Sequence, residues 1–189
     1  MMPHVKTQAP LDSGLDMIST PRRPPLAAQA PEVEPLAREM ATLRAEGGTA
    51  LWDSVVFTLH HFNGISGQRA VLLLSDGEDQ SSRFTFEDAL AYAQSAGVTL
   101  YAIGLDLEAF AAARDRLGRL ADATGGRAYF IDEVAELEEV YSQIERELRS
   151  KYLIVYQSSN DRGDDGFRRV ELRVLRPGLE VRTIQGYFP

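Results

Sequence analysis

Two spacings of apolar residues alternate along the chain from residue 36 onward. In "TALWDSVVFTLHHFNG", Trp52, Val55, Val56, Leu59 and Phe62 recur at helical spacing on one face, and Gly64 follows them. "RAVLLLS" is instead an unbroken apolar run, as expected of a strand covered on both sides. "TFEDALAYAQSAG" returns to the helical period, with Thr85 and Asp88 as a capping-box pair and Phe86, Ala89, Leu90 and Ala93 facing inward. "VTLYAIGL" predicts a second buried strand, "AFAAARDRLGRLADATGG" a helix closing on Gly125-Gly126, and "RAYFI" a third strand. "DEVAELEEVYSQIERELRSK" carries the clearest helical stripe: Val134, Leu137, Val140, Tyr141, Ile144 and Leu148. Acids lead its first turns, and Arg146, Arg149 and Lys151 close it, which complements the helix dipole. Ahead of all these, "PLAREMATLRAEGG" reads as a short helix stopped by Gly47-Gly48.

Helix and strand therefore alternate through residues 36–150, which predicts an α/β fold of three layers: a parallel sheet with helices on both faces. The strands are expected near 69–75, 98–105 and 126–131. Past residue 151 the pattern changes. "KYLIVYQ", "FRRVELRVL" and "LEVRTIQGYF" read as strands with no helix between them, and in the second Val170, Leu172 and Val174 alternate with Arg169, Glu171 and Arg173. With a tight turn at "RPGL", residues 151–189 predict a C-terminal antiparallel β extension.

Proline sets the other boundary. Seven of the nine prolines fall within residues 1–35, and proline neither donates to a ladder nor continues a helix. That segment is expected to be irregular, and disordered at its start.

Composition narrows the class of function. A net charge of −8 argues against nucleic-acid binding, which favours a basic face, and is compatible with a cation or a basic partner. The absence of cysteine excludes disulfides, thiolate catalysis and zinc-cysteine sites. No apolar run approaches the ~20 residues of a membrane span, and "MMPHVKTQAPLDSG" lacks the apolar core of a signal peptide. His60 and His61 are adjacent on a helix and point about 100° apart, so they do not make a metal pair. "GISG" is not a nucleophile elbow, no phosphate-cradling Gly-x-x-x-x-Gly-Lys is present, and "RGD" at 162–164 reads as part of a hairpin loop.

The candidate chemistry lies where strands end, because open parallel sheets bind ligands beyond the carboxyl ends of their strands. Asp76 ends "VLLLSD", Asp106 ends "AIGLD", and Thr49 opens a helix after two glycines. Two readings stay open on spacing alone. Thr49 is an N-cap and Glu78, Asp79 and Asp106 are solvated loop charges, or a hydroxyl and a carboxylate face Mg²⁺, which prefers a few hard oxygens and retained waters.

"GGTALWDS", "RAVLLLSDGEDQSS", "AQSAGVTLYAIGL", "LADATGGRAYFI" and "ELRSKYLIVYQ" resemble, in that order, the later two-thirds of a von Willebrand factor A domain of the bacterial "VWFA-related" type. The resemblance implies a Rossmann-like α/β domain over 36–150 that lacks its N-terminal third, and a non-enzymatic module that recognises a protein partner. It also implies a metal-ion-dependent adhesion site for Mg²⁺ or Mn²⁺, with Thr49 and Asp76 as ligands and Gly48, Gly77, Glu78, Asp79 and Asp106 around its rim. An acidic side chain of the partner would complete the metal's coordination. The family's remaining ligands come from an Asp-x-Ser-x-Ser motif. "PLDSGLDMIST" offers Asp12, Ser13, Asp16, Ser19 and Thr20, but not at that spacing. Metal binding by this chain is therefore expected to be weak or absent, and self-association is expected along an exposed sheet edge. Full-length relatives are expected to be exported or held at the cell envelope. Two rival readings are a Mg²⁺-dependent hydrolase using Asp76, Glu78 and Asp106, and a truncated gene product without independent function.

Overall fold

The computed structural model describes residues 38, 41–42, 47–105, 111–152, 154 and 165–188. The expected irregular segment 1–35, Asp106 and the "RGD" tripeptide lie outside the described residues. So does most of the expected helix at 36–48, whose described positions Arg38, Ala41 and Thr42 are helical.

The described elements run α1 (Leu51–His61), β1 (Ala70–Ser75), α2 (Phe86–Ala96), β2 (Thr99–Leu105), α3 (Ala111–Ala123), β3 (Ala128–Ile131), a 3₁₀ turn (Val134–Glu136), α4 (Leu137–Arg149), β4 (Arg168–Arg169) and β5 (Gly186–Tyr187). β1, β2 and β3 lie in that order in one parallel sheet, with Ala70 opposite Thr99 and Ala102 opposite Ala128. The α/β class and the parallel pairing are as the alternating pattern predicts.

Side-chain alternation along the strands divides the core. Leu100 and Ala102 of β2 face one side, where they bury with Trp52, Val55 and Leu59 of α1, Ala89 and Ala93 of α2, and Leu117 and Leu120 of α3. Tyr101 and Ile103 face the other side and bury with Ile131 of β3 and Val140 and Ile144 of α4. Among the described residues, α1, α2 and α3 thus cover one face and α4 the other.

This asymmetry corrects two expectations. β1 is not covered on both sides: Leu72 and Leu74, on the α4 side, remain 41% and 45% exposed, because α4 packs over β2 and β3 and meets β1 only near Ala70. The stripe of α4 is also narrower than its sequence suggests. Val134 falls in the 3₁₀ turn at 72% exposure and Tyr141 is exposed, so the buried seam is Val140 and Ile144, with Leu137 and Leu148 half-buried.

Local signals hold where they are short-range. Thr85 caps α2 by accepting from the Asp88 amide, Asp88 accepts from the Thr85 amide in return, and Gly97 ends the helix in the left-handed region. α3 ends in a Schellman motif: the Gly126 and Gly125 amides donate to the Ala121 and Asp122 carbonyls, with Gly125 at φ 75°.

The antiparallel ladder of the C-terminal extension is, among the described residues, shorter than its alternation suggests. An antiparallel sheet is present, but it pairs only Arg168–Arg169 with Gly186–Tyr187. Val170 adds one bond to Gln185, while Leu172 and Val174 are exposed and outside any strand. Alternation needs a partner strand to become a ladder, and past Val170 none stands opposite among the described residues. Most of "KYLIVYQ" lies outside them, and its Tyr152 and Ile154 are exposed.

Candidate functional site

At the carboxyl end of β1 the chain reverses on side-chain-to-backbone hydrogen bonds. Ser75 Oγ accepts from the Gly77 amide at 3.0 Å and Asp76 Oδ1 from the Glu78 amide at 3.1 Å. Between them Gly77 is buried at φ 73°, a conformation open to glycine at little steric strain. The next residues fold back over the start of α1. The Gln80 and Ser81 amides donate to the Thr49 carbonyl at 2.8 and 3.1 Å, and Ser81 Oγ donates to the Gly48 carbonyl.

The same loop caps α1. The helix has Ala50 at its N-cap, a residue with no side-chain acceptor. Asp79 Oδ1 accepts from the Leu51 amide at 2.8 Å, and Ser82 Oγ accepts from the Trp52 and Asp53 amides at 3.0 and 3.1 Å. Ser82 in turn donates to Asp79, and Asp53 Oδ1 accepts from the Arg83 and Phe84 amides. Three orphan amides of the first turn are satisfied by a loop from across the molecule, and a carboxylate stands at the positive end of the helix dipole. Neither sequence reading of this corner is complete. Thr49 is not the N-cap, and Asp79 is not a solvated loop charge but a part-buried structural acceptor.

Thr49, Asp76, Glu78 and Gly48 are exposed around this corner. The second carboxylate oxygen of Asp76 and the Thr49 hydroxyl make no hydrogen bond among the described residues. A hydroxyl and a carboxylate are hard oxygens suited to Mg²⁺. Among the described residues, however, no three His, Cys, Asp or Glu side chains converge as a metal site. Two oxygens do not make a cage for an ion that demands octahedral coordination. The two histidines serve the surface: His60 Nδ1 pairs with Tyr92 and His61 Nδ1 with the Phe57 carbonyl.

Sequence reasoning missed Ser82 and Asp53 here. The signal was weak: "SDGEDQSS" is rich in side-chain acceptors, but Thr49 in "TALWD" already reads as a cap and hides the need for them.

A second polar group lies at the opposite end of the sheet, beneath α4. Lys151 Nζ donates to Thr99 Oγ1 at 2.6 Å and lies 5.6 Å from the Tyr101 ring centre. Glu147 accepts from Tyr129 at 3.3 Å and forms an ion pair with Arg127 at 2.9 Å without an aligned hydrogen bond from Arg127 Nε. Burial, aided by the Glu147 carboxylate, pushes the Tyr101 hydroxyl up to about 12, and burial lowers Lys151 against the pull of Glu147. These groups fasten the end of α4 to the first residues of β2 and β3.

The model of the von Willebrand factor type A domain matches residues 31–143, more than half of the chain. The chain belongs to that family. Its members generally mediate protein–protein interaction, in some cases through Mg²⁺ or Mn²⁺, and are typically not enzymes. No curated protein matches the sequence. Solved structures similar to it include an uncharacterized membrane-spanning protein from Vibrio fischeri (19% identity, TM-score 0.38). Another is the conserved hypothetical protein BatB from Bacteroides thetaiotaomicron (14% identity, TM-score 0.46). Each alignment covers 61% of this chain, and it covers 66% and 70% of theirs. Among the described residues no helix is long and apolar enough to cross a membrane.

Proposed function

We propose that the chain is a non-enzymatic binding module that engages a protein partner at the carboxyl end of β1. The body of the module is residues 36–150, with 151–189 as an appended extension. Thr49 and Asp76 supply two oxygens to a Mg²⁺ or Mn²⁺ ion, Gly48, Gly77 and Glu78 form the rim, and water and an acidic side chain of the partner fill the remaining positions. The observation that supports this reading is the pair of hydrogen bonds from Gln80 and Ser81 to the Thr49 carbonyl. They hold the Thr49 backbone against the loop that begins at Asp76, so a hydroxyl and a carboxylate from distant parts of the sequence share one exposed corner. With only two protein donors the ion is held weakly until a partner arrives.

Paramagnetic Mn²⁺ suits such a weak site. In an amide NMR titration, Mn²⁺ is expected to broaden Thr49, Ala50 and residues 76–80 first. Mg²⁺ should compete the effect away, and Asp76→Ala should abolish it. Broadening centred elsewhere, or unchanged in Asp76→Ala, sinks the assignment.

A further inference from the structure

α1 is joined to β1 through "HHFNGISGQR", which holds the one Asn-Gly pair of the chain. Asn63 and Gly64 are the central residues of a turn closed by the Ile65 amide on the Phe62 carbonyl at 3.1 Å. Gly64 stands at φ 77°, a conformation open to glycine, and a Cβ there would meet nothing within 4 Å. Both residues are exposed. The base of the turn is held, since Arg69 Nη1 also donates to the Phe62 carbonyl at 3.0 Å. Its tip is open: the Gly64 amide and Asn63 Oδ1 make no hydrogen bond among the described residues. The Asn63 side chain is oriented through its nitrogen alone, which lies 3.0 Å from His60 Nδ1 and donates to the Tyr92 hydroxyl at 3.3 Å.

We propose that Asn63 is a modification site, at which the chain deamidates through its own backbone. The Gly64 nitrogen gives its proton to solvent and bonds to Asn63 Cγ. The Cγ–Nδ2 bond breaks, and the nitrogen takes up a proton and leaves as ammonia. Water then opens the resulting cyclic imide at either carbonyl, which yields aspartate or isoaspartate. The balance is one water consumed and one ammonia released, with nothing oxidised or reduced. The site favours this step because the attacking nitrogen is unpaired, carries no neighbouring side chain and faces solvent. Asp76-Gly77 has the same spacing of carbonyl and amide but the opposite setting: Gly77 is buried and its amide donates to Ser75 Oγ at 3.0 Å. The product places a carboxylate past the C-terminal end of α1, the negative end of the helix dipole. It stands where an amide had donated to Tyr92 of α2, and isoaspartate also adds a methylene to the backbone ahead of β1. The inference is independent of the metal reading, since it uses none of that corner's residues.

The test is ageing of the full chain in neutral buffer at physiological temperature, followed by trypsin digestion and mass spectrometry. The peptide 45–69 is expected to gain, over days, the mass difference between an amide and an acid. Fragment ions should place the gain at residue 63 and not at Gln68, which shares that peptide. Two products of equal mass should appear, of which an endoproteinase that cuts before aspartate cleaves only one. Asn63→Gln, which keeps the amide but must close a larger ring, should lose the gain at residue 63. A parallel sample unfolded in guanidinium chloride gives the rate that sequence alone allows. Asn63 in the folded chain should react within an order of magnitude of that rate, whereas isomerisation at Asp76 should be strongly suppressed by folding. An Asn63 that stays intact in the folded chain overturns the proposal, whether or not it reacts when unfolded. A gain confined to Gln68, or one that persists at residue 63 in Asn63→Gln at the parent's rate, overturns it as well.

Discussion

Asp79 Oδ1 accepts the amide of Leu51 at 2.8 Å across 28 residues of sequence. A helix start and a strand-end loop are thereby joined by one carboxylate, and Ser82 doubles the joint by accepting the next two amides. Together with the Gln80 and Ser81 amides on the Thr49 carbonyl, these two residues hold the corner that carries Thr49 and Asp76.

Removing that acceptor should act as the loss of a helix cap. Asp79→Ala is expected to lower stability by about 1–2 kcal/mol. Asp79→Asn should lose less, since it keeps an acceptor and forfeits only the charge at the dipole, ~0.3–1 kcal/mol. Ser82→Ala should be comparable to Asp79→Ala, and the double variant less than the sum, because the two side chains bond each other. Urea unfolding of the four proteins checks this, and an Asp79→Ala chain as stable as the parent would refute the capping role.

Two glycines should respond in opposite directions to the same methyl group. A Cβ on Gly126 would stand 1.9 Å from the Leu100 carbonyl oxygen, which is backbone of β2 and cannot swing aside. Gly126→Ala is expected to cost about 4 kcal/mol or more, at the exceptional end of single substitutions. Gly118 is inside α3, and a Cβ there meets nothing within 4 Å. Gly118→Ala should stabilise by roughly 0.5–1 kcal/mol. Thermal melts of the pair decide it.

Acid should erase the α2 capping box. Bonds from the Thr85 amide and hydroxyl lower the Asp88 carboxyl below its ordinary value. A lowered carboxyl stabilises the fold above its unfolded pKa of about 3.9, and that contribution is lost as pH falls through the folded value. The melting temperature of Asp88→Ala should therefore lie below that of the parent at neutral pH and converge on it in strong acid. A gap independent of pH would assign the effect to something other than the ionised carboxylate.

Alkali should act through Tyr101. Its hydroxyl titrates at about 12 in the folded chain, chiefly because it is buried, with Glu147 adding to the shift. The neutral hydroxyl therefore stabilises the fold below pH ~10, and that contribution drains away as pH rises toward the folded value. Lys151, lowered by burial, has the opposite sign: the unfolded chain holds that proton longer, so stability gains as pH rises from its folded value toward ~10.5. Tyr101→Phe should lose less stability than the parent between pH 10 and 12. Equal slopes would remove Tyr101 from the alkaline transition.

The elements were legible in the sequence because each rests on its own period. The Trp52–Leu59 face, the Thr85–Asp88 box and the glycines after α3 are local signals, and they stand where the pattern puts them. What reached across the fold was not legible. An apolar run such as "VLLL" says that a strand wants cover, not that α4 stops short of Leu72 and Leu74. Asp79 reads as one acid among several in "SDGED", because nothing near it reveals that its acceptor role is spent 28 residues upstream. The alternation of Val170, Leu172 and Val174 promised a long strand, but a ladder also needs an opposite chain, and pairing there ends within two residues.

The plugged start of α1 also fixes what this corner cannot recruit. Free amides at a helix start are a ready seat for phosphate or carboxylate ligands. Here Leu51, Trp52 and Asp53 have already given theirs to Asp79 and Ser82. An incoming nucleotide or phosphopeptide would find that seat taken by the protein's own carboxylate, and Asp76 and Glu78 beside it. On its own the corner turns anions away, so the metal-bridged contact proposed above would need the cation in place before the partner's carboxylate could approach.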